Sequence, residues 1–335
     1  MSIRLFSYLS IHVRRALLAI TIGSGLALLL YSAAVPPALA NPFQPSGGIG
    51  RPDTSLQESR EYWSEPRIAA ALRNDLGLQA TGDGAGSGPP DLLAPTQPTP
   101  RSMSAQSPYL DPAVGKLVFL YRGSPSSCSG SLIDTPSQRV VLTAGHCLYE
   151  AGRWSNAIRF IPELRGWNRP HGSFPAATKT VEINWFNSTR YPWRQPNVRF
   201  DFGAVVLQRQ LAQLIEPLPY RLYPGAGMTR LVGYPGSPGL WPRMCTSETW
   251  RSASFERPRR GPTMRISRCD LKGGSSGGPW LGWFYDSDTG QQELEVTGLS
   301  STRYWRIGGR RAWISSPYFG FYAEEFIDFA DTMLD

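Results

Sequence analysis

Short apolar runs separated by turn residues dominate the chain from about residue 109 onward. The runs cover residues 116–121, 139–143, 204–207, 230–232 and 294–299. β-branched and aromatic residues fill them, and few stretches repeat at the helical period. The pattern predicts an all-β sandwich or barrel over residues 109–335. The C-terminal end differs, because apolar residues near helical spacing predict a helix over residues 322–333.

The first forty residues have the pattern of an export signal. Three arginines precede an almost wholly apolar stretch, residues 16–35. Ala38-Leu39-Ala40 then offers the small residues that a signal peptidase recognises. We therefore expect cleavage before Asn41, export to the periplasm or the extracellular space, and no stable membrane association afterwards. The alternative is an uncleaved anchor, because the apolar stretch is about long enough to span a bilayer.

Residues 41–108 are rich in Pro, Gly, Ser and Thr. Such a composition buries too little apolar area to offset the entropy of an ordered chain. We interpret this region as a largely disordered pro-segment or linker of a zymogen, with a plain disordered tail as the alternative. One apolar and aromatic island interrupts it at residues 62–72, where Ser64 could cap a short helix. The sequence thus divides into a signal peptide (1–40), this segment (41–108) and one folded domain (109–335).

The charge of the chain excludes little. Removing the three arginines of the signal segment lowers the formal net charge from +8 to +5. Since the remaining arginines are scattered, the charge favours solubility and does not indicate a nucleic-acid partner.

Four cysteines follow the segment: Cys128, Cys147, Cys245 and Cys269. An even number in an exported chain indicates two disulfides, for which sequence alone allows three pairings. A hairpin turning near Ser137 would set the first two opposite each other, and one centred on Arg257 would do the same for the last two. We therefore predict Cys128–Cys147 and Cys245–Cys269. The spacing of the four is too wide for a zinc site.

One of the three histidines is a candidate general base. Serine is a weak nucleophile until a neighbouring base accepts its proton, and histidine suits that task at neutral pH. The chain has His12 in the signal, His171 in a loop, and His146 between small residues and Cys147. We predict that His146 is the base and that His171 is a surface residue.

The candidate nucleophile is Ser276, which stands in the run Gly-Gly-Ser-Ser-Gly-Gly-Pro at residues 273–279. Such glycine density can expose a side chain at a bend and point the N–H groups of Gly274 and Ser276 at one oxyanion. A flexible Gly/Ser loop is the alternative. The elbow of α/β-hydrolases would need a histidine after the serine, and none follows. Asp201, at the head of an apolar strand, is the candidate acid, with a turn aspartate as its alternative.

These motifs together resemble those of trypsin-like serine proteases. Residues 143–147 (Thr-Ala-Gly-His-Cys) are similar to the T-A-A-H-C motif, and residues 274–279 resemble G-D-S-G-G-P. Residues 128–132 resemble the C-x-G-S-L strand before the histidine, and residues 201–207 resemble the strand that carries the aspartate. Residues 232–236 and Cys269-Asp270 look closer to the bacterial branch that includes glutamyl endopeptidases. The resemblance implies two six-stranded antiparallel β-barrels (chymotrypsin-like) with the active site between them and a C-terminal helix.

The chain departs from this pattern at two points. Ser275 replaces the usual aspartate before the nucleophile, so it cannot form the ion pair that activates trypsin. The strand after the serine lacks the histidine that helps glutamyl endopeptidases bind an acidic side chain, so glutamate preference is not supported. By position, Asp270, Leu271 and Ser300 are candidates for lining the substrate pocket.

The sequence therefore predicts a serine endopeptidase that hydrolyses protein or peptide substrates through an acyl-enzyme. His146, Asp201 and Ser276 would form the triad, and Gly274 with Ser276 the oxyanion hole. We expect no metal, no cofactor and a monomeric enzyme. The alternatives are a serine esterase and a protease-fold binding protein without turnover.

Overall fold

The protein is described by a computed structural model. It describes residues 47–53, 62–64, 67–68, 71, 102–103, 110–193, 195–235, 240–251, 264–269, 271–286, 290–305 and 312–334. The predicted signal peptide and Asp270 lie outside the described residues. Among the helices that are described, none is both long and apolar enough to span a bilayer.

Antiparallel strands make up most of the fold. In chain order they are β1 (Gly48–Pro52), β2 (Ser102–Met103), β3 (Val114–Tyr121), β4 (Ser124–Leu132), β5 (Val140–Ala144), β6 (Tyr149–Glu150), β7 (Arg153–Trp154), β8 (Asn156–Pro162), β9 (Phe174–Glu182), β10 (Phe202–Leu207), β11 (Gly227–Gly233), β12 (Arg243–Arg251), β13 (Met264–Ser267), β14 (Pro279–Asp286), β15 (Gln291–Leu299), β16 (Arg303–Trp305) and β17 (Ala312–Pro317). The helices are α1 (Gly145–Leu148), α2 (Ile183–Thr189) and α3 (Phe321–Asp331), with 3-10 turns at Val198–Phe200 and Thr332–Leu334.

Six strands close into the first barrel. Their order is β9-β10-β5-β4-β3-β8, and β8 pairs back with β9. The central strands β5 and β10 are buried along their whole length, which explains their runs of valine, leucine and phenylalanine. The predicted hairpin of β4 and β5 is present, with Ser131 opposite Leu142.

The second sheet follows the order β15-β14-β11-β12-β13-β17-β16, with β2 paired to β12. Its ends approach each other beyond β15, because Ser301 N donates to Ser315 O and Ser315 N donates to Thr302 O, both at 2.9 Å. The all-β architecture and the first six-stranded barrel are confirmed. The second sheet differs from a plain six-stranded barrel, since β2 and β16 extend it.

The C-terminal helix is confirmed as α3. Its buried face carries Ala323, Phe326, Ile327 and Ala330. Phe326 lies against Phe202 of β10, with the ring centroids 6.0 Å apart. The apolar spacing seen in the sequence is therefore the face that covers the first barrel.

Both predicted disulfides are formed. Cys128–Cys147 has a Cα–Cα distance of 6.2 Å, and Cys245–Cys269 has one of 5.7 Å. The first links β4 to α1, and the second connects β12 to the chain just after β13. Each bond therefore stabilises one of the two sheets near a segment that carries candidate site residues.

Part of the predicted linker takes part in the fold. β1 pairs with β9, β2 pairs with β12, and Trp63, Ile68 and Ala71 are buried. The composition of residues 41–108 did not predict these contacts. The domain boundary near residue 109 stays a prediction.

Candidate active site

The histidine lies on a tight turn at the end of β5. α1 starts at Gly145, and the disulfide of Cys147 holds its far side. A Cβ at Gly145 would lie 2.8 Å from Cδ1 of Trp185 and 2.9 Å from the carbonyl O of Phe202. Only glycine fits this close approach without a shift of backbone, so Trp185 and β10 together determine the position of His146.

Asp201 holds the imidazole in one orientation. Its Oδ2 lies 2.8 Å from Nδ1 of His146, and its Oδ1 accepts the backbone N–H of His146 at 2.8 Å. The side chains of both residues are fully buried. Since a carboxylate only accepts, Nδ1 carries the proton, and Nε2 is left as the basic nitrogen of the ring. The structure thus brings together His146 and Asp201 as the sequence predicted.

Ser301 completes the environment of the carboxylate. Its hydroxyl donates to Oδ2 of Asp201 at 2.6 Å, and the serine is itself buried. Hydrogen bonds to the ionised form stabilise a carboxylate in a buried site. The sequence analysis named the neighbouring Ser300 as a pocket candidate and did not name Ser301, because only the fold shows that the hydroxyl of Ser301 faces Asp201.

The serine loop packs against the strand that leads to the histidine. The carbonyl of Ser276 accepts the N–H of Ser129 at 2.7 Å, and Gly277 N donates to Ser300 O at 2.7 Å. Gly277 has a φ of +77°, and a Cβ there would overlap Thr143 Oγ1 and lie 2.7 Å from the N of Ala144. The loop therefore lies directly against the end of β5, two residues before His146, and it requires glycine at 277.

The serine hydroxyl and the two proposed oxyanion donors have no hydrogen bond to the part of the protein that the structure describes. Within the described residues, neither Ser276 Oγ nor the N–H groups of Gly274 and Ser276 have a hydrogen-bond partner. The link between Ser276 and His146 is therefore not a formed hydrogen bond in this structure. Such bonds often tighten only when substrate binds, and an oxyanion hole needs donors that the protein leaves unoccupied.

Ser129 connects the first barrel to the serine loop. Its hydroxyl donates to the carbonyl of Gly274 and accepts the N–H of Tyr234, both at 2.8 Å. Its carbonyl accepts Thr143 Oγ1 at 2.7 Å. Sequence reasoning used Ser129 only as part of a motif. Its hydroxyl binds residues more than a hundred positions away, so no local signal could have shown its role.

The candidate pocket residues are placed only in part. Leu271 is buried, and Asp270 lies outside the described residues. The hydroxyl of Ser300 accepts the indole N–H of Trp280 at 3.1 Å. This hydroxyl is therefore hydrogen-bonded within the second sheet. A role for Asp270, Leu271 and Ser300 in substrate binding stays a prediction.

The half-buried Glu150 and the fully buried Glu182 lie beside the histidine turn. Burial raises the pKa of Glu150, the charge of His146 lowers it and that of Asp201 raises it. Glu182 accepts N–H groups of Asn184 and Trp185 at 2.6 and 2.9 Å, and it caps α2. Burial raises the pKa of Glu182 to about 8 in spite of these bonds.

One group of potential metal ligands exists among the described residues, namely Cys128, His146 and Cys147. The two sulfurs are bonded to each other, so neither is a thiolate that could bind a metal. Nδ1 of His146 is hydrogen-bonded to Asp201. This group is therefore part of the histidine turn and not a metal centre.

Proteases are among the solved structures whose fold is similar to that of this chain. The protease Anisep from Arthrobacter nicotinovorans is 23% identical, with a TM-score of 0.52 over 66% of this chain and 96% of its own. The thermostable serine protease AL20 from an extremophilic microorganism is 23% identical, with a TM-score of 0.53 over 67% and 98%. A Glu endopeptidase is 18% identical, with a TM-score of 0.49 over 70% and 96%. No protein-family profile and no curated protein sequence matches the chain. The chain therefore has the fold of the trypsin- and chymotrypsin-like serine proteases that its sequence motifs resemble.

Proposed function

We propose that this protein is an exported serine endopeptidase whose triad is His146, Asp201 and Ser276. The observation that carries the proposal is the buried hydrogen bond of 2.8 Å between His146 Nδ1 and Asp201 Oδ2. The loop of Ser276 packs against the end of β5, the strand that leads to His146. A buried acid that fixes one tautomer of a histidine beside a glycine-rich serine loop suits nucleophilic catalysis. Two disulfides agree with an oxidising compartment outside the cytoplasm.

The reaction is acyl transfer. Ser276 Oγ attacks the peptide carbonyl as Nε2 of His146 takes its proton, and the C–N bond breaks when that proton passes to the leaving amine. Water then attacks the acyl-enzyme by the same steps and releases the acid. Asp201 stabilises the imidazolium, and the N–H groups of Gly274 and Ser276 bind the oxyanion.

Labelling with a fluorophosphonate tests the nucleophile. We expect folded protein to be labelled and Ser276→Ala to be unlabelled, because only an activated serine hydroxyl reacts. Ser275→Ala is the matched control, since Ser275 is the adjacent buried serine and its hydroxyl bonds to none of these groups. We expect this variant to be labelled. Labelling of Ser276→Ala, or no labelling of folded wild type, contradicts the proposal; the second result favours a binding protein without turnover.

Turnover provides the second test. With peptide substrates, Ser276→Ala should lower kcat by roughly 10⁴–10⁶-fold. A loss of only a few-fold would show that another residue is the nucleophile. Ester and peptide substrates assayed side by side distinguish the endopeptidase from a serine esterase.

A further inference from the structure

The N-terminal end of the described chain adds a seventh strand to the first barrel. β1 pairs with β9 over five consecutive positions, from Gly48 opposite Glu182 to Pro52 opposite Thr178. The hydroxyls of Thr178 and Thr180 also donate to the carbonyls of Arg51 and Ile49, each at 2.9 Å. β1 therefore covers the outer edge of β9 with both main-chain and side-chain hydrogen bonds.

A buried ion pair follows directly after this strand. Nζ of Lys179 lies 2.6 Å from Oδ1 of Asp53, and the two side chains are 0% and 1% exposed. Oδ2 of Asp53 accepts the N–H of Ile158 at 2.7 Å. The other contacts of Nζ are neutral oxygens of Pro52 and Asn156, at 3.4 and 3.3 Å.

Lys179 belongs to β9, a strand of the first barrel. The barrel therefore contains a buried cation whose counter-ion, Asp53, lies in the N-terminal segment. Burial already lowers the pKa of Lys179, and Asp53 opposes that change. If Asp53 left, the buried ammonium would keep only neutral partners among the described residues, and a buried charge without a counter-ion is strongly unfavourable. The open edge of β9 would also present unpaired backbone groups.

Three described residues of the apolar and aromatic island behind β1 are buried against the same barrel, namely Trp63, Ile68 and Ala71. Trp63 donates its indole N–H to the carbonyl of Ala157. Ile68 is 3% exposed and Ala71 is 0% exposed, and both belong to the main hydrophobic core. Removing these residues would expose apolar area of the barrel to water.

The opposite end of the chain closes over β1. A Cβ at Gly48 would lie 2.7 Å from Cδ1 of Phe329, and a Cβ at Gly50 would overlap Cε of Met333. Glycine at these positions therefore lets the C-terminal helix and the turn after it lie directly on the strand. The two ends of the domain support each other.

We propose that the described residues of this segment, 47–53, 62–64, 67–68 and 71, are a permanent part of the first barrel, and that the active enzyme keeps the segment after any processing cut further along the chain. A pro-segment that is released must leave a surface that water can solvate. This one would leave a buried cation without its counter-ion, an open strand edge and an exposed core. The edge of β9 is thus a binding surface for this segment, and a processed enzyme would be a two-chain molecule. The part of this inference that concerns the active enzyme rests on the proposed function as a serine endopeptidase.

A cleavable variant tests the proposal. A recognition sequence for a site-specific protease is placed in the glycine-rich run at residues 82–90, in the Ser276→Ala background to prevent self-digestion. After the cut, we expect the N-terminal fragment to co-elute with the rest in native gel filtration and to separate only in denaturant. Release of the fragment under native conditions, with the remainder still folded, overturns the proposal.

Substitutions test the role of the ion pair. In the cut protein, Asp53→Asn should release the fragment at least about tenfold faster, because the buried ammonium loses its charge partner. Adding Lys179→Met should restore retention, since the uncompensated charge is then gone. Asp134→Asn, an exposed aspartate of the first barrel, is the control and should behave as the parent. An Asp53→Asn fragment that is held as firmly as the parent's contradicts the role of the pair.

Fluorophosphonate labelling of the cut protein with Ser276 intact keeps the two proposals separate. Retention of the fragment without labelling means that the proposed catalytic function fails while the structural inference stands. If the fragment is lost and the remainder is still labelled, the structural inference fails while the proposed catalytic function stands.

Discussion

Ser129 is the residue of the first barrel that holds the proposed oxyanion loop in place. Its hydroxyl joins the carbonyl of Gly274 to the N–H of Tyr234, and its backbone N–H binds Ser276 O. Gly274 contributes one of the two proposed oxyanion donors. Ser129 is therefore a positioning residue, since it acts on the reaction through the loop that carries these donors.

Ser129→Ala should lower kcat/KM by about 10- to 100-fold, because a small displacement of the oxyanion donors weakens binding of the transition state. The loss should fall on kcat with KM little changed, which a merely structural role would not produce. Affinity for a peptide aldehyde should fall in parallel with kcat. Ser131→Ala, a buried serine of the same strand, is the control. A Ser129→Ala variant that is less stable but has the kcat of wild type would refute this role.

The residues of the proposed triad could be named from sequence because each stands in a local motif. His146 follows a strand of small and apolar residues, Ser276 lies in a glycine-rich run, and Asp201 directly precedes a buried strand. Ser301 was not predictable, because its bond to Asp201 joins residues a hundred positions apart. Local sequence indicates which side chains are available, and the tertiary fold determines which of them meet.

Among the elements, the short helix α2 has the clearest effect on the site. It carries Trp185, whose indole donates to the carbonyl of Tyr149 at 2.8 Å and whose ring lies 6.4 Å from that of His146. Glu182 caps this helix and is fully buried. The protonation state of Glu182 therefore affects α2, the helix whose Trp185 packs against the histidine turn.

This coupling predicts a pH dependence of stability. The pKa of Glu182 is raised from 4.5 to about 8 in the folded protein by burial. The folded state then binds a proton that the unfolded state releases, so the contribution of this group is complete below pH 4.5 and is lost as the pH rises through about 8. Glu182→Gln stays neutral and should lose less stability than wild type between these limits. Thermal unfolding at several pH values measures the difference.

The control for this experiment is Glu325→Gln, which changes an exposed glutamate of α3. It should keep the pH dependence of wild type. If Glu182→Gln also keeps it, the carboxyl group of Glu182 is ionised in the folded protein at neutral pH, contrary to the expectation.

Strands, the hairpin pairing and the C-terminal helix were predictable from periodicity and turn residues. β1 was not, because Gly48, Gly50 and Pro52 give it a composition typical of loops. Those glycines are present because Phe329 and Met333 occupy the space of their side chains. A tertiary contact here outweighs local propensity.

At the scale of the whole molecule, the two sheets share one hydrophobic core and are also joined by buried polar contacts. Nζ of Lys116, on β3, donates to the carbonyl of Tyr234 at 2.6 Å, and Ser129 connects the same two parts. The all-β class was predictable from the short apolar runs, and the resemblance of the motifs to trypsin-like proteases implied two barrels with the site between them. The extension of the second sheet by β2 was not, because it depends on a strand of only two residues.

The C-terminal helix links overall stability to the site. Phe326 is fully buried and stacks on Phe202, the residue directly after Asp201. Phe326→Ala should lower the free energy of unfolding by about 3–5 kcal/mol, because it removes buried apolar area and leaves a cavity under β10. Urea unfolding measures the loss, and fluorophosphonate labelling should slow with it as Asp201 loses support. Phe321→Ala, a half-buried residue of the same helix, should change both much less. Equal losses in the two variants would show that α3 supports β10 no more through Phe326 than through its first turn.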